Sequence, residues 1–243
     1  REETSLPDGT IVKKFTNYAH DKGNQKLIDA NMVGIPLETV TIKNGKAISK
    51  VETVYPTILP TTQTGNLLLP LSVHSTRTNT ISVSVPPVGE VKDTEVTYDK
   101  YDDKGNILQY TVKGLQPTVI IWGYNQTQPI AKIEGISYDA LMALSGVSPL
   151  INDTITKSNS DATQGTASSE QSLLTSLDNL RTNSSLNAYM ISTYTYDPLI
   201  GVTSITPPSG VREIYKYDSA NRLQSVVDVN GKILKEYQYN YKQ

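Results

Sequence analysis

The pattern of apolar and polar positions divides the chain into three stretches. From about residue 10 to residue 125, short runs alternate apolar with polar residues and end in Gly, Pro, Asn or Asp, the signature of strands joined by turns. Pro36-Leu-Glu-Thr-Val40-Thr-Ile42 alternates, Asn44-Gly45 follows, and Ala47 to Val54 returns. That arrangement predicts a tight hairpin, because a type I′ turn needs positive φ at both central residues. Tyr55 to Gly65 is Pro- and Thr-rich and irregular. Leu67 to His74 and Thr80 to Val85 resume strand character, and Pro86-Pro87 ends the latter. Glu90 to Tyr101 leads into Asp103-Lys-Gly105-Asn106, an echo of Asp21-Lys-Gly23-Asn24, and both tetrapeptides are predicted to be turns. Ile120-Ile-Trp122-Gly-Tyr124 reads as a closing strand with Trp122 and Tyr124 on one face.

Near residue 137 the period changes. Tyr138 to Leu144 suits a short helix stopped at Ser145-Gly146. Ser168-x-x-Gln171 is a capping box, and behind it Leu173, Leu174, Leu177 and Leu180 line one face of a second helix ending near Arg181-Thr-Asn183. Between the two, Asn152 to Ser168 has no aromatic residue and is almost all small polar side chains, so a flexible loop is predicted there. The expected organisation is β repeats over 1–136, a two-helix insertion with a flexible loop over 137–189, and further repeats over 190–243 completing the same sheet. The leucine stripe is expected to pack the insertion on that sheet.

The last stretch writes one phrase three times: Tyr194-Thr-Tyr196-Asp197, Tyr215-Lys-Tyr217-Asp218 and Tyr237-Gln-Tyr239-Asn240. The second tyrosines stand 21 and then 22 residues apart, a period that marks stacked supersecondary units. Each Tyr-x-Tyr pair places two rings on one side of a strand. Gly201, Gly210 and Asn230-Gly231 punctuate the intervals.

The run from Tyr196-Asp197 through Gly201 to Gly210 resembles one repeat of the YD-repeat (Rhs, teneurin-like) family. Tyr215-Lys-Tyr217-Asp218-Ser-Ala-Asn221-Arg222-Leu223, continuing through Val226 and Asp228 to Gly231, is a closer copy. The first copy carries one extra residue before Gly201, and in the second Asn221 replaces a glycine, a mild change because Asn tolerates the left-handed conformation. The resemblance implies a secreted or cell-surface protein of β-hairpin repeats, of which this chain would be a C-terminal portion. It implies a structural, shell-forming or partner-binding role, with preceding repeats of a larger precursor or another protein as partners, and no chemistry. With it in hand, the start at Arg1 reads as a cut inside that precursor.

Composition sharpens this in a few places. Formal charge is −2 and pI about 5.7, which gives no electrostatic footprint for nucleic acid. No apolar run approaches the ~18 residues of a membrane span. Cysteine is absent, so neither disulfides nor a thiol nucleophile is available. Fifteen tyrosines stand against one Phe and one Trp. Tyrosine combines a large ring with a hydroxyl that tolerates water, which suits half-exposed sheet faces.

Candidate chemistry is sparse. His20 and His74 are 54 residues apart with no acid pattern near either, so packing or surface roles outweigh metal binding. Asp99, Asp102, Asp103 and Asn106 cluster, but without EF-hand spacing, and turn aspartates are the plainer reading. Asp197-Pro198 resembles the self-cleavage motif of some Rhs proteins, yet its glycine falls one place late and repeats continue after it. No hydrolase elbow, zinc-protease or P-loop motif occurs. The expectation is therefore no enzyme, cofactor or metal. The alternative is a carbohydrate-binding adhesin module whose exposed tyrosine rows stack on sugars. Against it, cross-strand aromatic pairs stabilise a sheet without any ligand. The fold expected is mainly β: consecutive antiparallel hairpins in a curved or spiral sheet.

Overall fold

The computed structural model describes residues 1–81 and 92–239. The expectations for 82–87, the start at Glu90, and Asn240 lie outside them. The chain forms two compact units, 1–115 and 116–243.

The first unit holds β1 (Glu2–Ser5), β2 (Ile11–Asn17), α1 (Ala19–Lys22), α2 (Gln25–Asp29), β3 (Glu38–Lys43), β4 (Lys46–Val54), β5 (Ser72–Ile81), β6 (Lys92–Tyr101) and β7 (Ile107–Val112). Each strand pairs antiparallel with its neighbour in sequence. The Asn44-Gly45 turn joins β3 to β4 with φ of 47° and 78°, the two positive values a type I′ turn demands. The first Asp-Lys-Gly-Asn tetrapeptide is not a hairpin turn. Gly23 ends α1 in the left-handed conformation, and the Asn24 side chain accepts from the Leu27 amide to start α2, so its last two residues act as a C-cap and an N-cap. Leu27, Ala19 and Leu37 form a small buried cluster there. On the neighbouring strands, Lys22 bridges Glu38 (3.0 Å) and Glu52 (2.8 Å), and Lys50 and Lys92 extend the row. Residues Leu67 to Leu71 precede β5 rather than belonging to it.

The second unit opens with β8 (Thr118–Gly123) and β9 (Gln128–Glu134), then α3 (Tyr138–Ala143), α4 (Val147–Gln164) and α5 (Ala167–Arg181). The strands β10 (Met190–Asp197), β11 (Gly201–Thr206), β12 (Glu213–Tyr217), β13 (Leu223–Val227) and β14 (Ile233–Glu236) follow. Pairing again runs in sequence order, and β9 pairs with β10 across the helices. Mainly antiparallel β hairpins are thus the architecture, as expected, with three α-helices and a short 3-10 turn at Ser184–Leu186, rather than two helices, between β9 and β10.

The flexible loop predicted over Asn152–Ser168 is instead most of α4, the α4–α5 corner and the start of α5. Two physical reasons explain the difference. Thr154, Thr156, Ser160 and Thr163 each donate to the carbonyl four residues back, so hydroxyls that usually compete with a helix are satisfied inside it. Val147, Ile151, Thr154, Ser158 and Asp161, spaced by four, three, four and three residues, form the buried stripe. Its polar members bond to neighbours: Thr154 meets Ser176 at 2.8 Å, and Ser169 donates to Asp161 at 2.7 Å. The capping box also falls two residues earlier than expected, at Thr166 and Ser169.

The main core lies in this unit. Val119, Ile121, Ile130 and Ile133 of the β8–β9 hairpin face Ile151, Leu173, Leu177 and Leu180. Three members of the expected leucine stripe of α5, Leu173, Leu177 and Leu180, are therefore buried, whereas Leu174 is only half-buried. α4 comes close to the backbone at Gly123, where a Cβ would lie 2.2 Å from the Ser158 hydroxyl.

Candidate functional site: the tyrosine–aspartate hairpins

The aspartate of each Tyr-Asp phrase organises the turn that follows it. Asp218 accepts from the amides of Ala220 (2.8 Å) and Arg222 (3.0 Å) through one carboxylate oxygen. Its own amide donates to the Arg222 carbonyl, and its carbonyl accepts from Asn221. The same set of bonds recurs at Asp102 with Lys104, Gly105 and Asn106, and at Asp228 with Asn230, Gly231 and Lys232. The fourth residue has positive φ each time: 90° at Gly105, 58° at Asn221 and 81° at Gly231. Asn221 therefore fills the glycine place by adopting the left-handed conformation. Arg222 bonds the other Asp218 oxygen and lies 4.7 Å from the centre of the Tyr239 ring. The Arg222 guanidinium, then its amide, holds the Asp218 carboxyl below its usual range.

The tyrosines connect one hairpin to the next. Tyr217 donates its hydroxyl to the Val202 carbonyl (2.8 Å), Tyr239 to Leu223 (2.8 Å) and Tyr196 to Pro129 (3.0 Å). These acceptors follow a rule. Val202 is the cross-strand partner of Tyr196, Leu223 that of Tyr217, and Pro129 that of Trp122. Each ring thus latches onto the residue opposite the aromatic of the preceding unit, and Trp122 holds the tyrosine place in the β8–β9 hairpin. The latch from Tyr196 keeps this rule although α3, α4 and α5 intervene. In the first unit of the chain Tyr101 makes a like bond to the Pro70 carbonyl, at 2.8 Å. Burial pushes the Tyr196 hydroxyl up to about 12 and raises that of Tyr217.

Gly201, one place late in its repeat, serves the following repeat. Its φ is 147°, and a Cβ on it would lie 3.0 Å from the Tyr217 hydroxyl. Gly210 (φ 83°) closes the β11–β12 turn by donating to the Pro207 carbonyl. Tyr194 and Tyr215 lie half-buried on β10 and β12, Leu223 opens β13, and Tyr237 and Tyr239 follow β14 with 40% and 46% exposure. His20 lies on α1, whereas His74 on β5 is held between the hydroxyls of Ser72 and Thr94. Asp99 accepts from Gln109 and Thr111.

A polar hub beside the Tyr196 latch was not apparent from the sequence. Tyr124 does not share a strand face with Trp122. It starts a run of three left-handed residues, Tyr124, Asn125 and Gln126, with φ of 51°, 59° and 64°. Such a run is strained by of order 1–3 kcal/mol per residue, and α4 over-determines it. Ser158 accepts from the Tyr124 amide and Asn159 from the Asn125 amide. The Tyr124 hydroxyl donates to Asp161 (3.0 Å) and accepts from the Tyr196 amide (2.9 Å), and the two rings meet edge to face at 5.5 Å. Arg181 at the end of α5 donates to the carbonyls of Ile191, Thr206 and Pro207, and Arg212 pairs with Asp178. The one available signal was the spacing of Ser158 and Asp161 with Ile151 and Thr154.

No family model matches the chain, and no curated protein matches it. Among solved structures, it is similar to the crystal structure of TcdB2–TccC3, with 10% identity and a TM-score of 0.38, covering 96% of this chain and 12% of that one. The TcdB2–TccC3–Cdc42 crystal structure gives 9% identity and a TM-score of 0.38, over 93% and 12%. The pore of the Photorhabdus luminescens Tc holotoxin, with a substituted TccC3, gives 11% identity and a TM-score of 0.36, over 96% and 12%. The chain therefore spans about an eighth of the length of each chain that it matches, since 12% of each is covered.

Proposed function

We propose that this chain is a non-catalytic structural and interaction module of a secreted or cell-surface repeat protein. The observation that carries this reading is the latch rule: the hydroxyls of Tyr196, Tyr217 and Tyr239 are each bonded to a backbone carbonyl of the preceding hairpin. A hydroxyl and ring used this way hold strands together instead of facing a sugar. Partner binding draws support from the sheet edges. Among the described residues β1 and β14 are each paired on one side only, and such edges accept further strands. Preceding repeats of a larger precursor, or another protein, would take that place.

The second reading, a glycan-binding module, is favoured by the exposure of Tyr237 and Tyr239. Chemical denaturation of Tyr217→Ala beside a glycan array separates the two. The scaffold reading expects a loss of about 2 kcal/mol or more for this half-buried ring, with no glycan retained by the native chain. An unchanged unfolding midpoint, together with glycan retention that Tyr239→Ala abolishes, would favour the adhesin.

A further inference from the structure

The α4–α5 corner and the β10–β11 turn, both in the second unit, border an open cleft of about 620 Å³. Its apolar surface includes the Tyr196 ring, Pro198 and Leu199, and its charged groups are Asp161, Glu170 and Asp197. The lining contains no lysine, arginine or histidine. Asp161 is committed to the fold, because its two oxygens accept from Ser169 and Tyr124. Glu170 and Asp197 are not spent in this way. Glu170 accepts one long bond, 3.4 Å, from Thr195, and Asp197 accepts the Leu199 amide on one oxygen. Neither forms an ion pair among the described residues. Leu199 stands 91% exposed at the mouth, fixed there by the tight turn in which Ile200 and Leu199 bond back to Asp197.

We propose that this cleft docks an extended peptide segment that presents an arginine or lysine between aliphatic neighbours. The cation would lie between the Glu170 and Asp197 carboxylates, and its methylene stem would run along Tyr196, as long basic side chains do on aromatic surfaces. Leu199 would meet an aliphatic neighbour of that residue. Charge complementarity selects this occupant: an acidic or neutral segment would leave two carboxylates facing a partly desolvated wall, which is unfavourable. A turn already fixed by its own hydrogen bonds loses little entropy when the segment arrives. The cleft shares the Tyr196 ring with the latch, but the proposal turns on the Glu170 and Asp197 carboxylates, which no latch bond uses, so its failure would leave the scaffold reading untouched.

The test uses a fluorescein-labelled peptide with the core Leu-Arg-Leu and its twin, in which neutral citrulline replaces the arginine, titrated with the whole chain by fluorescence anisotropy. The arginine peptide should saturate, and the citrulline peptide should bind at least about tenfold more weakly, the loss expected when a charge-assisted bond is removed. Glu170→Gln should weaken the arginine peptide by a similar factor, and Asp197→Asn, which keeps the oxygen that holds the turn, should do the same. Should Glu170→Gln fail to fold by circular dichroism, the citrulline comparison on the unaltered chain still decides. Equal binding of the two peptides, no saturation, or folded variants that bind like the unaltered chain would each overturn the proposal. Arginine amide competing as well as the peptide would overturn the claim that a segment, rather than a free cation, is the occupant.

Discussion

The helical hairpin α4–α5 is held by side chains far apart in sequence, whereas the tail hairpins β10–β14 close their turns within about five residues. In the tail, Asp218 meets Ala220 and Arg222, and Asp228 meets Asn230 and Lys232. In the helices, Tyr124 reaches Asp161 across 37 positions, and Ser176 reaches Asp153 across 23. The buried side chains of the tail are mostly polar, Thr193, Thr195, Ser204 and Thr206 beside Ile191 and Val226, while α4 and α5 bury Val147, Ile151, Leu173, Leu177 and Leu180. Local turn chemistry and a buried core are thus divided between two parts of one unit. The tail ought to respond most to its turn chemistry and its latching rings, and the helices to loss of apolar burial.

The largest expected effect falls where the two parts meet. Tyr124 is 2% exposed and joins β8, α4 and β10 through its amide, hydroxyl and ring. Tyr124→Ala should destabilise the chain by about 3–5 kcal/mol in chemical denaturation. Tyr124→Phe should cost about 1–3 kcal/mol, because Asp161 and the Tyr196 amide lose a buried partner. A phenylalanine variant as stable as the parent would show that the hub is wet.

Leu177→Ala follows, at about 2–5 kcal/mol, since Leu177 is 1% exposed in the same core. A companion experiment addresses α4 itself. Limited proteolysis of the native chain should spare residues 152–164 and reach the exposed β13–β14 hairpin first, because opening follows burial. Early cleavage within α4 would mean that its polar stripe does not hold it.

How much of this was legible in the residues follows the same division. The Asn44-Gly45 hairpin, the tyrosine period and the leucine stripe of α5 were readable because each signal is local. The long helix α4 was hidden, because Thr154, Ser158 and Asp161 look solvent-facing until Ser176, Tyr124 and Ser169 are brought against them. The two Asp-Lys-Gly-Asn copies diverge for a related reason. The first caps α1 and starts α2 over the buried Ala19–Leu27 cluster, and the second has strands on both sides. Identical turn chemistry was completed differently by its neighbours. The latch rule lay partly in view: the period of the tyrosines was visible, but the carbonyls they would meet were not.

A smaller effect tests the contact between repeats. Gly201→Ala forces a side chain into a φ of 147° and places its Cβ 3.0 Å from the Tyr217 hydroxyl. The expected cost is about 1–3 kcal/mol for the backbone alone. Tyr217→Phe removes the crowded oxygen, so the double variant should lose less than the sum of the single ones. Strict additivity in a double-mutant cycle would mean that the two residues do not meet.

The smallest effect is a pH dependence confined to the tail. The Arg222 guanidinium and then the Arg222 amide hold Asp218 below its ordinary value of 3.8, with the Ala220 amide adding to them. A carboxylate depressed in the folded state contributes stability that is fully present above that ordinary value. The contribution is lost as pH falls through the lower, folded value. Amide exchange at Ala220 and Arg222 should therefore be protected above pH 4 and grow faster, relative to the intrinsic rate, below about pH 3.8. Protection in α4 should not follow the same curve, because its turn-to-turn bonds do not involve that carboxylate. Asp218→Asn retains an oxygen for the two amides but loses the charge that pairs with Arg222. It should keep the turn folded and flatten the pH profile. If the asparagine variant instead opens the turn at neutral pH, the ion pair with Arg222, and not the amide bonds, is what closes it. The distinction between local turn chemistry and distant side chains would then narrow to one arginine.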